Sequence, residues 1–188
     1  MNHRLFAALA VFAVLAVSSV LAEENAEPAS LGAETVPLIE VLDSVRRETG
    51  RTFVMDTRVG PQLVIGQLVA GDVDYHRLLV ILRNNGLAAV KVGDVTTIVP
   101  VDIVRQFPLP VVHEDAGTID DEEWITLVIS VKKAEATQLV PIFRPLLPRE
   151  GHMAAHPGSN ILTIVDRAGN ARRVAELIST LDRETKSR

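Results

Sequence analysis

Four stretches of this chain repeat apolar residues at i, i+3, i+4 and i+7, with short β-rich runs between them. The stripes are Leu38/Val41/Leu42/Val45, Tyr75/Leu78/Leu79/Leu82, Leu139/Ile142/Phe143/Leu146 and Val174/Leu177/Ile178/Leu181. That spacing predicts four helices, each with one apolar stripe that must be buried against a sheet. The runs 52–55, 63–69, 87–92 and 95–99 are rich in β-formers and bounded by Gly or Asp, as strands are. Further on, Ile125, Leu127, Ile129 and Val131 alternate with Thr126, Val128 and Ser130, predicting a strand with one apolar face. Runs 152–155 and 161–165 flank Pro157-Gly158-Ser159-Asn160 and predict a hairpin. The order is helix, strand, strand, helix, strand, strand, then strand, helix, strand, strand, helix. Neither half alternates as a long parallel βαβ series does, so the fold class is α+β, as two small helix-on-sheet domains.

Local signals agree with these elements. Gly50 and Asn84-Asn85-Gly86 suit helix C-termini, and Asp72 or Asp74 and Asn170 suit N-caps. Pro141 and Pro145 predict a bent or short third helix. Val92-Gly93-Asp94-Val95 reads as a hairpin turn. Aromatics make up only 4% of residues, so the cores must be aliphatic.

The amino terminus follows another logic. After Arg4, residues 5–22 carry no charge, and Val20-Leu21-Ala22 puts small residues before Glu23-Glu24. That pattern predicts a cleavable signal peptide over 1–22 and a periplasmic mature protein; an uncleaved membrane anchor is the competing reading. There is no cysteine, so neither lipidation nor a disulfide is available and each domain depends on its core. Losing Arg4 with the leader takes 19 Lys and Arg to 18 against 24 Asp and Glu, a net charge of −6. An acidic chain without a basic cluster argues against nucleic acid and anionic lipid, and for a protein partner. Residues 23–35 read as an extended leader, with room for a short strand at its end. Residues 36–106 form the first domain, 107–123 a Pro- and acid-rich linker, 124–184 the second domain and 185–188 a tail. Six acids (Glu114, Asp115, Asp120, Asp121, Glu122 and Glu123) are expected to solvate the linker.

The segments Leu38-Ile39-Glu40-Val41-Leu42, Glu48-Thr49-Gly50-Arg51-Thr52 and Leu78-Leu79-Val80-Ile81-Leu82-Arg83-Asn84-Asn85-Gly86-Leu87 resemble the first periplasmic domain of secretins. That domain is itself related to the signalling domain of TonB-dependent receptors. Residues 124–184, with Leu139-Val140-Pro141-Ile142-Phe143, His156-Pro157-Gly158-Ser159-Asn160-Ile161 and Val174-Ala175-Glu176-Leu177, resemble the secretin ring-building domain, βαββα and KH-like in order. Both domains in this order behind a signal peptide resemble the type II secretion secretin (general secretion pathway protein D family). The resemblance implies docking on an inner-membrane platform protein, lateral packing with secretin subunits and self-association into a ring. No ten-residue alternating strands of a membrane barrel occur, so the outer-membrane pore domain is not expected here; the chain reads as a fragment or a stand-alone relative of the vestibule.

Chemistry-bearing motifs are absent by comparison. His152 and His156 are four apart with Asp166 nearby in sequence, but on a strand and turn this spacing does not converge imidazoles on a metal. No nucleophile elbow or phosphate loop is present, and the KH-like order lacks a basic Gly-x-x-Gly loop. The expectation is therefore no enzyme, no cofactor, no metal, no nucleic acid and no small-molecule substrate. Contact is expected through strand addition at Thr52, Phe53, Val54 and Met55 or at Val95, Thr96, Thr97, Ile98 and Val99, and through the helix flank carrying Arg172 and Arg173. Trp124 is expected to pack at the linker–domain junction. A signal-relay module of the TonB-receptor type is the alternative reading, and the second domain argues against it.

Overall fold

The computed structural model describes residues 34–65, 73–113 and 119–185. The expected signal peptide, most of the leader, residues 66–69 of the second run, Asp72 and the linker acids Glu114 and Asp115 lie outside the described residues.

The first half runs β1 (Glu34–Pro37), α1 (Leu38–Thr49), β2 (Thr52–Met55), β3 (Gln62–Ile65), α2 (Tyr75–Asn84), β4 (Leu87–Val92) and β5 (Val95–Pro100). β1 and β3 form an antiparallel pair. The other three strands form a sheet in the order β2-β5-β4, with β2 parallel and β4 antiparallel to β5. The full stripe of α1 is buried, as are Leu78, Leu79, Ile81 and Leu82 of α2, and all pack with Leu63, Ala89 and Ile98 in one core. α1 stops at Gly50, whose φ of 69° is left-handed backbone that costs a residue with a Cβ. Asp74 caps α2 by accepting the Arg77 N–H at 2.7 Å. Gly93, with φ 61°, supplies the turn that makes β4 and β5 a hairpin.

The second half runs β6 (Val111–His113), β7 (Trp124–Ser130), α3 (Ala136–Phe143), β8 (His152–His156), β9 (Ile161–Arg167) and α4 (Ala168–Glu184). Its sheet has the order β6-β7-β9-β8, with β6 parallel to β7 and the remaining pairs antiparallel. Ile125, Leu127, Leu162 and Ile164 meet Leu139, Phe143, Val174 and Ile178 in a second core. Two polar side chains close the loop after β7. Asp182, in the last turn of α4, accepts the N–H groups of Lys132 (3.0 Å), Lys133 (2.8 Å) and Ala134 (2.7 Å). Asn160, in left-handed backbone at φ 52°, donates to the carbonyls of Val131 and Ala134 and accepts the Ala136 N–H. Asn160 is thus a turn residue, and it also anchors the start of α3.

A third apolar cluster joins the halves. Ala88, Val90 and Val99 lie on the face of the first sheet turned away from α1 and α2. They are covered by Val104 from a 3-10 turn (Val101–Gln106), by Leu109 and by Trp124, which is only 3% exposed. Here β4 and β5 are therefore buried on both faces, which fits the apolar Ala88-Ala89-Val90 and Ile98-Val99 runs.

Several expectations need correction. The segment expected as a solvated linker contributes β6 to the second sheet, and Leu109 and Val112 are buried. Of its acids, Asp120 and Glu122 are turned inward to ion pairs with His76 and with Arg83 and Arg167. Asn170 does not cap α4, because the helix begins two residues earlier and its first amides are taken by main-chain oxygens: Ala168 donates to Glu123 at 2.8 Å and Gly169 to Asp121 at 2.9 Å. Asn170 instead donates to Asp166 and to the Leu146 carbonyl. α3 is short, and a 3-10 turn (Arg144–Leu146) follows it. After that turn Leu147 takes the buried place and Leu146 stays exposed, as does Ile142 within α3 itself.

Asp182 gives a first test. Burial raises its carboxyl pKa, and the Ala134, Lys132 and Lys133 amides and the Lys133 charge outweigh burial, leaving it below the ordinary value. The unfolded chain takes up that proton at higher pH than the folded one. The stabilisation is therefore complete above the ordinary carboxylate value of about 4 and is lost as pH falls through the folded value. Asp182→Ala is expected to cost about 2 kcal/mol at neutral pH by leaving three amides unpaired. Urea unfolding should show the gap to the unmodified chain narrowing in acid.

Candidate interaction surface

The strand order decides which of the expected contact strands is accessible. β5 lies in the middle of its sheet, hydrogen-bonded on one side to β2 and on the other to β4. Val95, Thr96, Thr97, Ile98 and Val99 therefore cannot receive an added strand, and this part of the expected surface is withdrawn. Thr96, Ile98 and Val99 are also buried. The sequence could not separate β5 from an edge strand, because a centre strand and an edge strand share the same apolar alternation.

β2, like β4, is an edge of this sheet. Among the described residues nothing pairs with its outer side. The register puts Thr52 opposite Val95, Phe53 opposite Thr96, Val54 opposite Thr97 and Met55 opposite Ile98. The next amide, Asp56, donates to Ile98 at 2.9 Å. Because amides alternate in direction along a strand, the Thr52 and Val54 N–H groups point to β5, and those of Phe53 and Met55 point outward. Val54 is 47% exposed and Met55 41% exposed, so this edge offers main-chain donors beside apolar side chains. Val54 shares its sheet face with Thr97, Val90 and the exposed Val92, and that face is covered by the 3-10 turn and Trp124 only further along.

The arginine flank is engaged within the chain. Arg172 donates to Asp121 and to the Ile119 carbonyl, and Arg173 donates to the Asn170 side-chain oxygen at 2.8 Å. Both stand on the amino-terminal part of α4, where the chain from Ile119 to Glu123 lies against it. Near them, a cleft of about 540 Å³ is lined by Arg83, Glu122, Asp166, Arg167, Asn170 and Arg173 among others. Burial pushes the Asp166 carboxyl up and the Arg167 guanidinium down, against the bonds each makes with its neighbours. A second groove, of about 530 Å³, runs between α4 and the end of β7, and its Asp182 carboxylate is already occupied by backbone amides.

The histidines do not converge. His152 and His156 stand at the two ends of β8, about 13 Å apart by strand rise. His156 bonds to the Ser159 hydroxyl at 2.9 Å. Asp166 points to the helix-covered face of the sheet together with Leu162 and Ile164, whereas His152 pairs with Val165 on the other face. Sequence reasoning missed His76, Arg83 and Arg167 as partners of the linker acids. The only signal for them was the density of acids in 120–123, which reads equally well as solvation.

The Secretin_N family, described as the bacterial type II/III secretion system short domain, matches residues 126–187. Secretin XcpQ of Pseudomonas aeruginosa is 33% identical over 148 residues, which cover 77% of this chain and 21% of XcpQ. The crystal structure of the XcpQ N-terminal domain is 31% identical and covers 83% of this chain and 68% of that one, with a TM-score of 0.32. PulD in the Klebsiella pneumoniae type II outer-membrane complex is 20% identical, covers 79% of this chain and 26% of its own, and has a TM-score of 0.64, so the fold is shared. The chain spans about a fifth of the length of XcpQ.

Amide hydrogen exchange tests the edge assignment. Phe53 and Met55 are expected to exchange much faster than Val54, and Thr97 and Ile98 to be among the slowest amides of the first half. Protection of Phe53 and Met55 equal to that of Val54 would mean the outer edge is covered. On sequence identity and the match of its second half, the chain belongs to the type II secretion secretins, corresponding to their N-terminal domains.

Proposed function

We propose that this chain is a periplasmic assembly module of a type II secretion machine, joining other polypeptides by association and carrying out no catalysis. Secretins are structural parts of protein export, and the N-terminal domains of this family belong to the periplasmic side of outer-membrane complexes. Residues 1–22 act as the cleavable signal that takes the chain there. Among the described residues no helix is long and apolar enough to cross a membrane. In this reading 36–106 is the docking module and 124–184 the ring-building module.

The observation that carries the proposal is the open β2 edge on a chain of this family. The Klebsiella complex that shares the fold contains PulD together with PulS and the PulC HR domain. By analogy, the docking module receives the periplasmic domain of an inner-membrane component, with main-chain hydrogen bonds from Phe53 and Met55 and apolar contact from Val54. The second module packs against neighbouring copies, and many weak lateral contacts become stable together through multivalency. The TonB-receptor reading is not favoured, because the secretin match falls on 126–187, which a signalling domain alone does not need.

Met55→Pro tests the docking strand. It removes an outward N–H while keeping every bond between β2 and β5. Titrating the inner-membrane component's periplasmic domain against mature protein, this variant is expected to bind at least about tenfold more weakly, a change of roughly 1.4 kcal/mol. Unchanged affinity would remove β2 from the interface. Absence of binding by the unmodified chain would remove the docking role itself.

A further inference from the structure

We infer that residues 120–123 form a charge clasp that fixes the two halves of the molecule in one relative orientation, making the join a rigid joint and not a hinge. The four consecutive acids face partners on α2, on α4 and at the end of β9. Asp120 lies 2.9 Å from the His76 Nδ1 on α2. Asp121 pairs with Arg172 on α4. Glu122 lies between the halves, accepting from Arg83 of α2 at 2.8 Å and facing the Nε of Arg167, at the end of β9, at 3.3 Å. Burial first, and the charge of the Glu123 carboxylate second, raise the pKa of the Tyr75 hydroxyl on α2. The main chain of the same segment supplies oxygens to the first two amides of α4.

Burial ranks these contacts. Exposed pairs contribute little, and Arg83, His76 and Asp121 are all more than half exposed. Glu122 and Arg167 are each only 15% exposed, and the Arg167 guanidinium lies 5.0 Å above the Trp124 ring. Removing Glu122 would leave a cation facing an apolar cluster with one carboxylate fewer, so Glu122 is the centre of the clasp. The cluster around Trp124 draws the halves together but has no directional preference, because apolar burial is insensitive to rotation. Direction comes from the carboxylates, which reach three elements at fixed distances. Packing is close at Gly169, where an added Cβ would lie 3.0 Å from the Cβ of Asp121, so a larger residue would require the Asp121 side chain to give by a few tenths of an ångström.

The clasp stands independently of the docking proposal and is tested without any partner. The chain has no cysteine, so Glu48→Cys on α1 and Glu176→Cys on α4, both exposed, give a clean pair for spin labels. The unmodified joint should give one narrow distance distribution by pulsed electron resonance. The quadruple variant Asp120→Asn, Asp121→Asn, Glu122→Gln, Glu123→Gln should lose that single narrow peak, and so should Arg83→Gln with Arg167→Gln, which leaves the acids in place but removes both cations that face Glu122. His76 gives a separate readout: Asp120, by hydrogen bond and then by charge, raises its pKa, with Asp74 and Glu122 adding to the field. Asp120→Asn should shift the His76 titration down toward the ordinary histidine value. A broad distribution in the unmodified chain, narrow distributions surviving in both variants, or an unmoved His76 titration would each overturn the clasp.

Discussion

The structure turns on a sheet that must be covered twice. β5 and β4 carry apolar residues on both faces, and α1 and α2 can cover only one. The second face is closed by a 3-10 turn, by Leu109 and by Trp124, which also opens β7 of the other half. Burial of this one tryptophan therefore makes the cohesion of the first half depend on the position of the second.

That dependence explains why the acidic segment is ordered where it meets the helices. Once Trp124 is buried, the residues before it must pass between α2 and the start of α4. Acids suit that path, because α4 begins without a side-chain cap and α2 presents His76 and Arg83. The arrangement also bears on assembly. A secretin-type module that docks through β2 and packs laterally through its second half transmits orientation only if the two halves keep a fixed relation.

Inside the second half the same economy appears on a smaller scale. The loop after β7 turns back without satisfying its own amides, and it borrows acceptors from Asp182 at the far end of α4 and from Asn160 at the start of β9. Two residues distant in sequence thereby set where α3 begins. This places short α3 over the sheet, while Ile142 and Leu146 remain at the surface.

Much of this was legible from residue order. The i, i+3, i+4, i+7 stripes fixed four helices, the alternation at 125–131 fixed β7, and Gly50 and Gly93 marked a helix end and a hairpin, because these signals are local and depend on backbone geometry alone. The family resemblance was legible for the same reason, as it rests on contiguous motifs. What only the tertiary structure decided were the relations between distant segments. It assigned β5 to the centre and β2 to the edge, since both read as apolar strands and the difference is which neighbour occupies each side. It turned Asp120, Glu122 and Arg172 from apparent surface charges into partners, since charge density along a chain says nothing of what folds against it. It also gave Asp182 its three amides across some fifty residues of sequence, a contact that no local pattern encodes.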